Sequence, residues 1–404
     1  MDAKEKFKVG RHMDKILSYK WSDNDIYSIA FVICLFVSWI ISTTFMQFIS
    51  YKPLNLLLAI AIGLMIFKIY LLDDSSAIEI FWETIIIGLS ILSEIKSHSN
   101  LILIMTLLVI AARSVDFNHL IYIYYVVGCI VITAVMLYSL IGIITNLSFH
   151  AANRPIRYAL GIVYPTDLSA HVLFLILANA FLNRTRLTFR RYAVYLLILI
   201  ATFKITDGRL SCAVGMLAII AIILADFAQN GHTICKYISS IYWVFIPAQA
   251  YLIIFLSIFF NPSNKVFAKL DRLLSGRLYF GHEGIHKYGF HLFGNTIEEH
   301  GYGGVKGAQL FQGKTNVGYF YIDSSYVRLF LMYGTIMALL VIIVMTYIAL
   351  RATIENQFVF AAIILAVSSS CMVEQHLLEL SFNPFLIVWL ASLKNPVSKD
   401  LGGT

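Results

Sequence analysis

Residues 119–146 read HLIYIYYVVGCIVITAVMLYSLIGIITN and contain no Asp, Glu, Lys or Arg. A membrane-spanning helix needs about 20 consecutive, mostly apolar residues. This stretch exceeds that length without a charge, so lipid is its natural surrounding. Similar runs lie before it at 26–49, 54–72, 77–94 and 99–113. Others follow at 168–182, 192–207, 209–225, 237–260, 323–349, 357–372 and 382–393. The pattern predicts an all-α, polytopic transmembrane helix bundle of about twelve spans, with 1–404 forming a single integral membrane domain. Several runs are short, and 192–207 and 209–225 share almost no linker. One or two therefore read as re-entrant or tilted.

Composition agrees. Of the 404 residues, 59% are hydrophobic and 13% charged, about half the charged share, roughly 25%, of a soluble protein. The cysteines Cys34, Cys129, Cys212, Cys235 and Cys371 are scattered without a CxxC or Cys/His cluster. That supports neither a disulfide framework nor a zinc site. Residues 1–25 are polar and basic, and no cleavable leader is expected ahead of the first long run.

Lys and Arg in short connections mark the inner side of a membrane. The N-terminal segment holds Lys4, Lys6, Lys8, Arg11, Lys15 and Lys20, and the 183–191 connection holds Arg184, Arg186, Arg190 and Arg191. An even number of spans separates them, so both fall inside, with Arg351, Lys394 and Lys399. Both termini are then cytoplasmic. Lys6 to Lys20 reads either as a basic helix on the inner surface or as a solvated tail. Outside fall 147–167, the Asp207-Gly208-Arg209 turn and 261–322, a long loop expected to carry short helices. The loop sets Lys265, Lys269, Arg272, Arg277, Lys287, Lys306 and Lys314 against Asp271, Glu283, Glu298 and Glu299. The inside rule does not explain this basic excess, which suggests an anionic ligand.

The outer arginines are the first candidates: Arg154, Arg157, Arg209 and Arg277. A guanidinium stays charged and presents a planar fork to phosphate oxygens. Converging on one pocket, such groups could hold a diphosphate and stabilise it as it leaves; singly, each could instead reach for lipid headgroups. Asp323 opens the span after the long loop, with Tyr326 at i+3 on the same helical face. It reads as a general base on a hydroxyl or as a helix N-cap, and the two roles are compatible. Glu374-Gln375-His376 and Glu379 could bind sugar hydroxyls or relay a proton, or form an ordinary polar loop. His171 and His291 complete the candidates, with a structural role as the alternative for each.

There is no Walker loop, dinucleotide fingerprint or GxSxG elbow, and nothing indicates nucleic-acid binding. Asp23-Asn24-Asp25 has the Asp-x-Asp form of a nucleotide-sugar site but sits where it would cap the first helix.

From about 150 to 335 the chain resembles the bacterial Wzy-type polysaccharide polymerases, of the O-antigen polymerase and ligase superfamily. Arg157-Tyr-Ala-Leu-Gly161-Ile-Val-Tyr-Pro165-Thr is similar to their Arg-x-x-Leu-Gly-Phe-x-x-Pro-Asn segment, and Asp207-Gly208-Arg209-Leu210-Ser211 to their Ser-Arg-Thr/Ser segment. Leu274-Ser275-Gly276-Arg277, Leu292-Phe293-Gly294, Asp323 to Tyr326 and Tyr333-Gly334 resemble later pieces in the same order. Tyr164 stands where many members have His, and Thr166 where many have Asn. The His-Asn pair of related ligases is absent at Asp323-Ser324.

The resemblance implies a metal-independent glycosyltransferase of the bacterial cell membrane, with no cofactor. It would join oligosaccharide repeat units carried on undecaprenyl diphosphate, at the outer face. Arg157, Arg209 and Arg277 would hold the diphosphate, with Asp323 and Tyr326 serving the attacking hydroxyl. Membrane lipid, a flippase and a chain-length regulator are the implied partners. The alternatives are a lipid-linked oligosaccharide flippase and an O-antigen-type ligase.

Overall fold

The structure is a computed structural model that describes residues 22–151 and 154–393. The basic segment around Lys6–Lys20, with Lys394 and Lys399, lies outside the described residues. In chain order the helices are α1 (Asp23–Ile41), α2 (Tyr51–Leu71), α3 (Ala77–Ser97), α4 (Leu101–Ile110), α5 (Phe117–Leu140), α6 (Pro165–Leu182), α7 (Phe189–Thr206) and α8 (Arg209–Gln229). Then come α9 (Thr233–Ser240), α10 (Phe245–Ile258), α11 (Lys265–Leu273), α12 (Arg277–Tyr288), α13 (Gly304–Phe311), α14 (Ser325–Arg328), α15 (Thr335–Ile354) and α16 (Phe358–Cys371). A short antiparallel ladder pairs β1 (Ser148–Phe149) with β2 (Arg157–Tyr158).

Among the described residues, seven helical stretches are long and apolar enough to cross a membrane: α1, α2, α5, α6, α8, α9 through α10, and α15. The other five expected spans differ for identifiable reasons. α3 and α7 have the length, but Glu79, Glu83, Glu94 and Lys96 charge the first, and Arg190, Arg191 and Lys204 the second. α4 and α16 are apolar but have 10 and 14 residues. At about 1.5 Å per residue, neither alone covers a hydrocarbon core of about 30 Å. Within 382–393 the chain forms a 3₁₀ turn, Phe385–Trp389, entered through Pro384.

The start of α1 is as expected. Ser22 is its N-cap, and Asp25 closes a capping box with it, so the Asp-x-Asp string serves the helix. The core gathers around α16, all of whose residues are buried, and around α6. In lipid, small residues and polar side chains hold helices together. Ala361, Ala362 and Ala366 of α16 are fully buried, as are Ala218 and Ala225 of its neighbour α8. Gln249 on α10 accepts a hydrogen bond from Ser368 at 2.6 Å and donates to Ser369 at 2.9 Å.

The expected span 323–349 is broken. After α14 the backbone makes a π-helical turn, Leu329–Tyr333, and stops at Gly334, whose φ is 91°. Backbone groups freed inside a bundle must be paired by the protein itself. Residues 291–295 from the long polar segment do this. The amides of Thr335 and Ile336 donate to the carbonyls of His291 and Leu292 at 2.9 and 3.2 Å, and the Asn295 amide donates to Met332 O at 3.1 Å. The fit requires glycine twice: a Cβ on Gly294 would overlap the Met332 carbonyl, and one on Gly334 the Gly294 amide.

Gly294→Ala and Gly334→Ala are therefore expected to destabilise the protein by more than the roughly 1–3 kcal/mol of a strained backbone alone. Thermal unfolding in detergent checks this. An unchanged midpoint in both variants would mean that the segment does not lock the helix break.

Candidate functional site

Consecutive helices joined by short turns run antiparallel, so the start of α6, the α7–α8 turn, α12 and residues 372–379 meet at one end of the bundle. The turn between α7 and α8 is tight because Asp207 adopts the left-handed conformation (φ 46°), which Asp tolerates better than most residues. Its carboxylate faces two arginines. Arg154 Nε donates to Oδ2 at 2.8 Å, and Arg209 Nε lies 3.3 Å from Oδ1. Burial raises the Asp207 pKa, but the bonds from Arg154 and Arg209 outweigh it, and the result lies below the usual carboxylate value. Arg209 remains 59% exposed and keeps capacity for a ligand.

Arg157 comes from β2 and is buried. Its Nε donates to the Thr206 carbonyl at 2.9 Å, its Nη1 to Tyr164 Oη at 3.2 Å, and its guanidinium lies 5.1 Å from the Tyr164 ring centre. The Leu160-Gly161 turn that follows has positive φ at both residues. A Cβ on Gly161 would come within 2.9 Å of the Val135 carbonyl on α5. Glycine lets this loop lie against the bundle, and Pro165 then starts α6 at a position where its missing N–H costs nothing.

Arg277 follows the Ser275-Gly276 turn, both residues left-handed. Asp271 fixes the start of α12 by accepting from the amides of Leu278 and Tyr279 at 3.0 Å each. The Arg277 guanidinium donates to Val373 O at 3.2 Å and stands 3.6 Å from Asp323 Oδ2. Burial works against its charge, but Asp323 and Glu374 more than restore it. Burial also lifts the Asp323 pKa, and Arg277 only partly offsets this.

Asp323 is not the N-cap of the next helix. That position belongs to Ser324, and α14 begins at Ser325. The expected i, i+3 face with Tyr326 therefore does not form. Tyr326 is fully buried, with its hydroxyl 2.6 Å from Ser368 Oγ. It is a core residue.

Residues 374–379 are more than a polar loop. Glu374 is buried; Oε1 accepts from Ser211 at 2.7 Å while Oε2 has no partner, and burial raises its pKa to about 7. His376 is also buried. Its Nδ1 lies 3.2 Å from Glu379 Oε1 and its Nε2 3.4 Å from Asp167 Oδ1, a charge contact without hydrogen-bond geometry. Its ring stacks on Phe382 at 3.6 Å, Phe382 on His171 at 3.7 Å, and His171 on Trp39 at 4.1 Å. His171 thus belongs to a buried stack, with Nδ1 3.3 Å from Ser381 O and Nε2 3.1 Å from Ser42 Oγ. It has no access to a ligand. His291 is exposed, with Nε2 2.9 Å from Tyr288 O, and stands apart from the cluster at the helix break.

A cavity of about 760 Å³ opens beside this cluster, within the size range of ligand sites, ≈ 300–1,000 Å³. Asp167, Asp323, Tyr164, Tyr302, Tyr319 and Tyr321 line it. None of the four candidate arginines does; Arg157 and Arg277 reach its wall through Tyr164 and Asp323, whereas Arg154 and Arg209 pair with Asp207, behind it. Composition and spacing did not single out Asp167, Asp207 or the tyrosines as site residues. Their roles come from contacts with distant segments, and only Tyr164 carried a local signal, as part of the Arg157–Thr166 motif. Arg328, likewise unflagged, is held by both oxygens of Glu299 at 2.6 and 2.7 Å, so it is committed to structure.

The His376 pair has a pH consequence. Burial disfavours its charge, but Glu379 and Asp167 outweigh this and raise its pKa from 6.5 to about 10. A raised folded-state pKa adds stability that is fully present below pH 6.5 and is lost as pH rises through about 10. The unfolding midpoint is expected to fall over that window, and His376→Gln should flatten that part of the profile. An identical profile in the variant would remove His376 as the cause. The chain matches no protein-family model, no curated protein and no solved structure.

Proposed function

We propose that this protein is a polysaccharide polymerase that joins lipid-diphosphate-linked oligosaccharide units at the outer face of a bacterial cytoplasmic membrane. In this reading the seven long apolar helices cross the bilayer, and the short or charged helices α3, α4, α7 and α16 cross it together with their neighbours. The 261–322 segment and the arginine cluster then lie outside. The observation that carries the proposal is the Arg277–Asp323 contact, a seam between two unlike halves. On one side stand Arg154, Arg157 and Arg209, suited to an anionic leaving group. On the other lies a tyrosine-lined cavity with two carboxylates, suited to a polyhydroxy acceptor.

The reaction balances without a co-reactant. An acceptor hydroxyl gives its proton to Asp323 as its oxygen bonds to the anomeric carbon of the donor. The bond from that carbon to the diphosphate oxygen breaks, and the lipid diphosphate leaves with the electron pair, stabilised by the arginines. Burial makes Asp323 a better base than an ordinary carboxylate. Arg277 supports the leaving group and keeps the base oriented.

Loss of one preorganised cation or donor costs roughly 10²–10³ in rate. Arg277→Ala and Asp323→Asn should each abolish long polymer while single repeat units still reach the cell surface. Polymer length on gels, with export scored separately, reads this. A flippase would give neither product in the variants, and normal polymer in both would sink the mechanism.

A further inference from the structure

The cavity wall has a sign. Asp167 and Asp323 line it, while the cations that balance them, His376 and Arg277, are not among the lining residues. Among the described residues Lys306 is the one basic side chain in the lining, and it is exposed. The hydroxyls of Thr43 and Thr44 are spent on backbone carbonyls, at 2.9 Å to Ile40 and 3.0 Å to Thr145. An ionised carboxylate is a hydrogen-bond acceptor only, so these walls match ligand donors such as hydroxyl or ammonium groups. Tyr302 and Tyr319, stacked at 4.2 Å, add a broad aromatic surface for the apolar face of a sugar ring.

We infer that this cavity selects neutral or amino-bearing sugars for the acceptor end of the repeat unit and excludes sugars carrying a carboxylate or phosphate. The inference rests on the polymerase reading above and adds the substrate class. A ligand anion here would meet two carboxylates in a partly desolvated space, where like charges are costly. It would also find no buried cation on the wall to pair with.

The test uses the full-length protein in lipid nanodiscs with lipid-linked repeat units isolated from a strain lacking it. One portion is left native, and the other is oxidised at the primary alcohols of the acceptor-end sugars to carboxylates. The oxidised unit should be incorporated at least roughly tenfold more slowly, as about 1.4 kcal/mol of repulsion would give. Asp167→Asn should narrow that ratio, which a purely steric effect would not do. Equal rates for the two units on the unaltered protein overturn the inference and leave the polymerase reading standing. An unaltered ratio in a folded Asp167→Asn protein also overturns it. No ladder from the native units would defeat the polymerase reading, and the inference with it.

Discussion

Backbone polar groups inside an apolar bundle must be paired by the protein, because the surroundings offer no partner. At three places where this chain leaves the helix, it meets that requirement with a tight turn or a borrowed segment. At Leu160-Gly161 the loop packs on α5, and the Gly161 carbonyl accepts from the Thr44 amide at 2.8 Å. At Ser275-Gly276 a left-handed turn opens α12, with Asp271 satisfying its first amides. At Gly334 the π-turn takes its partners from 291–295. Gly161 and Gly334 mark sites of close backbone approach, whereas Gly276 supplies the left-handed turn immediately before Arg277.

That arrangement explains which parts were legible in the sequence. The long apolar runs gave the helical elements because hydropathy is a local property. The arginines of the site stood out because the inside rule does not explain cations on the outer side. α3 and α7 fell short of membrane-like composition because their charges lie on the helices themselves. Glu79 and Glu83 are both tied to Arg113, at 2.8 and 2.5 Å.

The rest was hidden by distance along the chain. Asp207 reads as a turn residue, and its partner Arg154 is far from it in sequence. Asp167 gains its place through His376, and His171 loses its apparent promise because Phe382 and Trp39 cover both faces of its ring. The Asp323–Tyr326 pairing failed because it assumed that the helix begins two residues earlier than it does. A shift of that size turns a residue to another face, and here it separates a cavity wall from the core.

The grip of 291–295 on the helix break also changes the mechanics of the long segment between α10 and α14. Untethered, such a stretch would be a floppy tether whose closure entropy grows slowly with length. Pinned near its middle, it becomes two shorter spans sharing a rigid post. α11 and α12 lie on one side of the post and α13 on the other. The two halves still meet, since Phe280 of α12 packs edge-on against Tyr319 at 5.0 Å. The half bearing Arg277 is held in register with the bundle by the post, and the half bearing Lys306 by a contact of its own, the Gly304 amide on Val163 O at 2.8 Å.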